Sequence, residues 1–439
     1  MKELITKIED RTANIGVIGL GYVGLPLAIS FSEKFNVVGY EVNDLLVKQL
    51  LEGSSHIQDI PDEVLKVHLN KSFHPTNKCE DLRKCDFIII CVPTPLANEN
   101  EPDLSYIKIS CSTIANVLRK GQFVILESTT YPGTTEEVVL PILENSGLKA
   151  TVDFGLAYSP ERIDPGNKEF TVTNTPKVVG GINEECTKIA SLLYGSIINK
   201  VVNVKDARTA ESVKIVENIF RNVNIALVNE LALIFERMGV DTWEVVDAAS
   251  TKPYGFMPFY PGPGIGGHCI PLDPFYMSYK AKKYGLIPRF IETSGEINNY
   301  MKIHAVNLVE RGLKKVGKRI YGSKVAVMGI AYKKNIADTR ESPAKKIIEE
   351  LVNLGSSVKI YDPYAKSIKT NGGELHSEKN MEDALKGADC VIFVVDHDQF
   401  NKLNASDFTK LMESPLIVDC KNIFSDITSI EYLGLGKGY

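Results

Sequence analysis

Several things are missing from this sequence, and each absence removes a class of function. Positive charge is not in excess: 50 Lys and Arg stand against 55 Asp and Glu, a formal net charge of −5. Such a balance gives no electrostatic footprint for nucleic acid or an acidic membrane surface, which directs attention to diffusible ligands. Lysine-rich stretches such as Lys314–Lys318 read as solvated faces. Long apolar runs are missing too. Phe87–Val92 and Val391–Val395 fall far short of the ~20 residues a membrane helix needs, and they read as buried strands. Residues 1–10 alternate charged and apolar side chains without the apolar core of a secretory leader. The eight cysteines contain no CxxC pair, the pattern of reduced thiols rather than of a disulfide framework or zinc site. No histidine–acid pair placed as a proton acceptor is evident, because the seven histidines lie apart. The expectation is a cytoplasmic protein that uses neither membrane, nucleic acid nor metal.

What is present is an ordinary globular balance, 44% hydrophobic and 24% charged over 439 residues, enough for two or three domains. One order of elements occurs twice. Strand-like runs at Asn14–Gly19, Asn36–Tyr40, Phe87–Val92 and Phe123–Leu126 are matched later by Lys324–Gly329, Val358–Tyr361, Cys390–Val395 and Leu416–Asp419. Helical patterns fill the intervals, so the fold class is α/β with two doubly wound, parallel sheets. Between them Asp206 to Met238 carries the longest helical pattern, with Asp206 as its cap and Gly239 past its end. Val213, Val216, Phe220, Val223, Leu227 and Leu231 recur at helical spacing. Roughly 33 residues make a rod of about 50 Å, a spine between domains or a surface for a homodimer. The expected domains are 1–204 for a dinucleotide, 205–314 as helical linker and dimerisation segment, and 315–439 as a second nucleotide-binding domain.

Gly19-Leu20-Gly21-Tyr22-Val23-Gly24 matches GxGxxG between a strand and a helix expected through Leu25 to Phe35. The glycines permit a tight turn and let the backbone approach a pyrophosphate on the helix N-terminus. Glu41 stands about 20 residues on, where an acid reads the ribose hydroxyls. Its charge would repel a 2′-phosphate, so NAD is expected rather than NADP. The second domain has Gly329-Ile330-Ala331-Tyr332-Lys333-Lys334 instead, bulky where the second glycine belongs. A different phosphorylated ligand, a sugar nucleotide, is expected there with Lys333 facing its phosphates.

Residues 260–275 place four glycines ahead of Cys269 and the pair Asp273-Pro274 after it. Asp273-Pro274 reads as the start of a helix through Lys283. Cys269 thus lies just before a helix N-terminus, which favours the thiolate and marks an attacking nucleophile. The remaining seven cysteines read as buried core thiols, and His268 as a loop histidine held by backbone as readily as a catalytic one. Lys214, Asn218 and Asn222 form a polar row on one face of the long helix. By itself such a row is what a solvent-facing side would show.

Taken together, Gly19–Pro26, Glu127-Ser128-Thr129, Ser159-Pro160-Glu161-Arg162, Glu211–Asn218, the loop 266–273 and Asp338-Thr339-Arg340-Glu341-Ser342-Pro343 resemble the UDP-glucose/GDP-mannose dehydrogenase family over essentially the whole chain. The resemblance implies a four-electron, NAD-dependent oxidation of a UDP-sugar C6 hydroxyl to a carboxylate through a Cys269 thiohemiacetal and thioester. It further implies that Lys214 stabilises the oxyanion, that Asp273, Asn218 and Thr129 hold water or the substrate hydroxyl, and that Glu161 is the base for hydrolysis. Cofactor contacts fall to Gly19, Gly21, Tyr22, Val23, Gly24, Glu41, Thr94, Thr129 and Arg340. Substrate contacts fall to Glu161, Arg162, Lys214, Asn218, Tyr260, Gly264, Gly266, Lys333 and Lys421, the two sheets closing over one cleft. Four positions depart from the family pattern: Glu41 with Leu46 replaces an aspartate and a following basic residue, Pro165 replaces a second acid, and Lys421 replaces an arginine. Gly-Gly-His-Cys-Ile-Pro-Leu-Asp-Pro at 266–274 looks like the UDP-N-acetylhexosamine branch, most of all the enzymes for UDP-N-acetylglucosamine. The mannosamine and galactosamine epimers and UDP-glucose stand as alternatives. A two-domain hydroxyacid dehydrogenase and a non-catalytic sugar-nucleotide binder are the readings from other classes.

Overall fold

The computed structural model describes residues 1–57, 59–69, 71–97, 101–162, 169–267, 270–424, 427 and 429–438. His268, Cys269 and Pro165 therefore lie outside the described residues. Two compact units make up the chain: Met1–Glu217 with Phe275–Ile287, and Asn218–Pro274 with Pro288–Tyr439. The segment 205–314 is apportioned between them, its long helix Ala207–Met238 beginning in the first unit and continuing in the second.

The first unit is built on eight strands: β1 (Asn14–Ile18), β2 (Asn36–Tyr40), β3 (Phe73–Thr76), β4 (Phe87–Ile90), β5 (Phe123–Leu126), β6 (Gly155–Tyr158), β7 (Lys177–Gly181) and β8 (Val201–Asn203). Their order is β3-β2-β1-β4-β5-β6-β7-β8. β4, β5 and β6 are buried at every residue, as strands covered on both faces must be. The sheet is not purely parallel: β7 runs antiparallel to β6. No helix among the described residues between them supplies the crossover that parallel pairing needs. Because β1 lies between β2 and β4, the order reverses at its carboxyl end, where open α/β sheets bind ligands.

The second unit contains β9 (Lys324–Met328), β10 (Ser357–Tyr361), β11 (Ser367–Thr370), β12 (Gly373–His376), β13 (Cys390–Phe393), β14 (Leu416–Asp419) and β15 (Glu431–Gly434). Five form a parallel sheet, β10-β9-β13-β14-β15, again with a switch point, here between β9 and β13. β11 and β12 pair as a hairpin around Asn371-Gly372, in an interval where only helical pattern was expected. Among the described residues no helix is long and apolar enough to cross a membrane.

Asp206 caps the long helix by accepting from the Thr209 amide at 2.8 Å, and Gly239 ends it at φ +73°. Its buried side is the reverse of the one its apolar spacing suggests. Val216, Phe220 and Leu227 are 57, 46 and 52% exposed. Asn218, Asn222 and Asn229 are buried, as are Glu211, Lys214 and Glu236. At 3.6 residues per turn these six positions fall within an arc of roughly 80°.

In the first unit Asp86 ties the N-terminal helix Lys2–Glu9 to the sheet. Its carboxylate takes the Asn14 amide at 3.0 Å, Lys7 Nζ at 2.9 Å and Arg119 Nη2 at 3.1 Å. Burial alone would push the Asp86 carboxyl up, but those three donors outweigh it and hold it below the ordinary range. A carboxyl lowered by folding contributes stability above its unfolded pKa and loses it as pH falls through the folded value. Asp86→Asn is therefore expected to cost about 2 kcal/mol at pH 7, with the difference from wild type shrinking below about pH 4. Urea unfolding at both pH values checks this, and equal midpoints at pH 7 would contradict it.

Candidate functional site

The glycine turn after β1 is set by close approaches. Gly19 has φ +86°, and a Cβ there would stand 2.8 Å from the Cys91 carbonyl oxygen. A Cβ on Gly24 would stand 1.8 Å from the Gly19 oxygen, so neither position accepts a side chain. A Cβ on Gly21 meets nothing within 4 Å: the turn itself tolerates it, and the open space is where a pyrophosphate would come against the backbone. Val23 leads into the helix Gly24–Ser32 with no side-chain cap, and Tyr22 is exposed. Glu41 accepts the Leu20 amide through Oε2 and the Asn43 amide through Oε1, both at 3.0 Å. These residues fit an NAD pyrophosphate and ribose. His56 was not anticipated; its ring faces Leu20 and Glu41, and burial holds it below the usual histidine range. Tyr276 Oη donates to the Thr94 carbonyl.

Beside this turn, at the end of β5 and β6, lies a buried cluster. Lys177 Nζ donates to Glu127 and, at 3.0 Å, to Glu161 Oε2; Tyr194 Oη donates to the other Glu127 oxygen. Burial pushes the Glu127 carboxyl up to about 8, with Lys177 pulling against it. Glu161 Oε1 accepts the Arg162 amide at 2.6 Å, and the Arg162 guanidinium reaches Glu217 and, at 2.7 Å, the Pro176 carbonyl. Thr129 sits half-buried on the turn that follows Glu127. Lys177 carries no motif, so only the fold reveals it. Lys214 is buried on the long helix in this same unit.

In the second unit the row continued by Asn218 and Asn222 is buried rather than solvent-facing, because the loop 262–273 folds onto it. Asn218 Nδ2 donates to Asp273 Oδ2 at 2.5 Å, and Asn222 Nδ2 donates to the Ile270 carbonyl at 3.0 Å. The helix runs Asp273–Lys283 and starts one residue earlier than the expected Pro274, with Asp273 inside it rather than as its cap. The loop glycines serve close packing. A Cβ on Gly264 (φ +109°) would come within 3.0 Å of Lys302 Cγ. On Gly266 it would lie 2.7 Å from Tyr332 Cβ, and on Gly267 2.8 Å from the Tyr332 ring. Thus Gly266 and Gly267 are pressed against Tyr332 on the turn after β9. Lys302 had no sequence signal; burial holds its ammonium below the usual range.

Lys333 sits on that turn, and Lys421 follows β14. Asp419 fixes the Lys421 segment by accepting the amides of Lys421, Ile423 and Phe424 and the Tyr432 hydroxyl. A Cβ on Gly262 would lie 3.6 Å from Lys421 Nζ, so Lys421 reaches the loop. Tyr260 stacks on Trp243 at 5.4 Å and donates to Asp247 at 2.6 Å. Arg340 is clasped by Asp338 at 2.9 Å. Folding brings together two histidine–acid pairs in the second unit. His397 faces Asp362 and His304 faces Glu236, each at 3.0 Å. Spacing along the chain could not show them, since each pair spans 35 or 68 residues. His397 is fully enclosed, and its Nδ1 accepts the Asn335 amide at 2.9 Å, so Nε2 carries the proton toward Asp362.

Gly21→Ala is expected to leave the melting temperature within about 2 °C while raising the KM for NAD⁺ at least roughly tenfold. Gly24→Ala should lower both stability and activity. Thermal melts with NAD⁺ titrations separate the two, and an unchanged KM in Gly21→Ala would refute the placement of the pyrophosphate.

Three family models match in chain order. They are the NAD binding domain of the UDP-glucose/GDP-mannose dehydrogenase family over residues 13–198, its central domain over 208–300 and its UDP binding domain over 326–426. The chain is 37% identical over 430 residues to the UDP-N-acetyl-D-mannosamine dehydrogenase of Pyrococcus horikoshii, covering 97% of this chain and 99% of that one. It is 38% identical over 404 residues to the UDP-N-acetyl-D-glucosamine 6-dehydrogenase of Pseudomonas aeruginosa, covering 91% and 94%. A solved structure of the Pyrococcus horikoshii UDP-D-ManNAc dehydrogenase superposes with a TM-score of 0.90 at 36% identity, covering 96% of this chain and 99% of that one.

Proposed function

The chain belongs to the UDP-glucose/GDP-mannose dehydrogenase family, and from that premise we propose that it oxidises the C6 hydroxyl of a UDP-N-acetylhexosamine, UDP-N-acetylglucosamine first among them, to the uronic acid. It is an NAD-dependent nucleotide-sugar dehydrogenase. The observation that carries the mechanism is the 2.5 Å bond from Asn218 to Asp273, which sets an amide and a carboxylate at the helix start that follows the Cys269 loop. Relatives for the gluco and manno epimers are equally similar to this chain, so the choice of sugar rests on the loop sequence 266–274.

In this reading Gly19, Gly21, Tyr22, Val23, Gly24, Glu41, Thr94, Thr129 and Arg340 hold the cofactor. Bound NAD⁺ supplies the hydride acceptor for each of the two oxidations. Loss of a hydride and a proton from the C6 alcohol leaves an aldehyde. The Cys269 thiolate adds to it, and Lys214 stabilises the oxyanion of the resulting thiohemiacetal. Loss of the second hydride gives a thioester. Water held by Asp273, Asn218 and Thr129 attacks it, with Glu161 taking the proton, and the acid and the thiol separate. Glu161, Arg162, Lys214, Asn218, Tyr260, Gly264, Gly266, Lys333 and Lys421 bind the UDP-sugar.

Residues 1–204, 205–314 and 315–439 then serve as NAD domain, linker and UDP-sugar domain. The chain acts in the cytoplasm as a homodimer. What supports the dimer is the exposed stripe of Val216, Phe220, Leu227, Ile234 and Met238 on the long helix, apolar surface that a partner would bury.

The test is NADH formed at 340 nm per limiting UDP-N-acetylglucosamine, with wild type beside Cys269→Ser. Two NADH per sugar, and no completed turnover in the variant, is the expected outcome. Turnover of another UDP-sugar only would move the substrate assignment. One NADH per sugar, unaffected by loss of the thiol, would favour a single-step dehydrogenase and overturn the reading.

A further inference from the structure

Both ends of the loop that carries Cys269 are tied to one face of the long helix. At the near end Asn229 Oδ1 accepts the Gly262 amide at 2.9 Å; at the far end Asn222 Nδ2 donates to the Ile270 carbonyl at 3.0 Å. The two asparagines are joined through the helix Arg289–Lys315. Asn298 Oδ1 accepts from Asn229 Nδ2 at 3.0 Å, and Asn298 Nδ2 donates to the Asn222 carbonyl at 3.2 Å. Ser294 Oγ donates to Asn222 Oδ1 at 2.7 Å. All four side chains are buried.

The chemistry of the loop explains why amides are used. Gly262, Gly264, Gly266 and Gly267 have no side chains with which to pack, and ordering each residue costs about 1–2 kcal/mol. Those glycines give the loop no side-chain grip of their own, so its backbone groups near Gly262 and Ile270 are natural points of attachment, and a carboxamide offers a donor and an acceptor on one short stem. The Asn229 amide has both atoms engaged, one on the loop and one on Asn298. A shift at one anchor is therefore transmitted to the other without passing through any residue assigned to the reaction.

We propose that Asn222, Asn229 and Asn298 are positioning residues that set the register of the nucleophile loop. They govern the rate of the covalent half of the reaction and not the affinity for NAD⁺. The proposal rests on the reading of Cys269 as the nucleophile.

The test compares full-length wild type, Asn229→Leu, Asn229→Asp and Cys269→Ser. The readouts are kcat, both KM values, melting temperature, and the rate of Cys269 alkylation by iodoacetamide followed by peptide mass. UDP-N-acetylglucosamine is the substrate or, if it is not oxidised, whichever of its manno or galacto epimers is. Asn229→Leu, which removes both bonds at similar volume, should lower kcat by about 10²-fold. Its KM for NAD⁺ should stay within roughly threefold, and its alkylation rate should differ from wild type by about fivefold or more. Asn229→Asp keeps the acceptor for Gly262 but loses the donor to Asn298, and it should fall between the two. Wild-type kcat and alkylation in both Asn229 variants would overturn the proposal. Should Asn229→Leu fail to fold, the same result in Asn229→Asp alone would overturn it. Two NADH per sugar from Cys269→Ser would instead remove the nucleophile reading, whatever the Asn229 variants do.

Discussion

The second unit is organised around a row of buried polar side chains on one face of the helix Ala207–Met238. A buried amide or carboxylate left without a partner costs about 1–3 kcal/mol, so each of these residues dictates what must lie against it. Asn218 takes Asp273, Asn222 takes the Ile270 carbonyl, Asn229 takes the Gly262 amide, and Glu236 takes His304 together with the Gly436 amide at 2.7 Å. Apolar packing tolerates small slips, but a row of directional bonds with a fixed helical rise does not. A glycine-rich loop thereby acquires a defined path, and the C-terminal strand β15 is followed by a tail docked at the helix end.

The two sheets place an acid at the same corner, and the partners of that acid differ. At the end of β2 Glu41 binds the Leu20 amide just as Asp362, at the end of β10, binds the Ile330 amide at 2.7 Å. Glu41 has one further amide partner, Asn43, and a carboxylate offers about four acceptor sites. Capacity therefore remains for ribose hydroxyls. Asp362 also accepts from Ala331, Tyr364, Ala365 and His397, which saturates it. Its corner has become a brace for the turn bearing Lys333.

Much of this was legible along the chain. Val- and Ile-rich runs located four strands of each sheet to within two residues, because strands covered on both faces tend to be continuously apolar, but the interior strands β6 and β7, which contain glycine and polar residues, were missed. The edges were not legible. Phe73–Thr76, Val201–Asn203 and Glu431–Gly434 are short and include polar or exposed positions, so their pattern is weak. Asn371-Gly372 was a usable hairpin signal that the expectation of a helix obscured. The polar row misled for a physical reason: a side chain hydrogen-bonded in the interior and one bonded to water have the same composition. Lys177, His56 and Lys302 lie outside any motif, and only folding sets them beside Glu161, Glu41 and Gly264.

Local chemistry, then, was determined by the sequence alone. A GxGxxG spacing between a strand and a helix marks a dinucleotide turn, and an aspartate before a helix caps it without help from the rest of the chain. The tertiary structure decided which groups are shared. Whether an acid is left open or saturated, whether an asparagine faces water or holds a loop, and whether a histidine acquires a carboxylate all depend on residues tens of positions away. Hydrogen bonds reach about 3 Å in space, and no spacing along the sequence reports that distance.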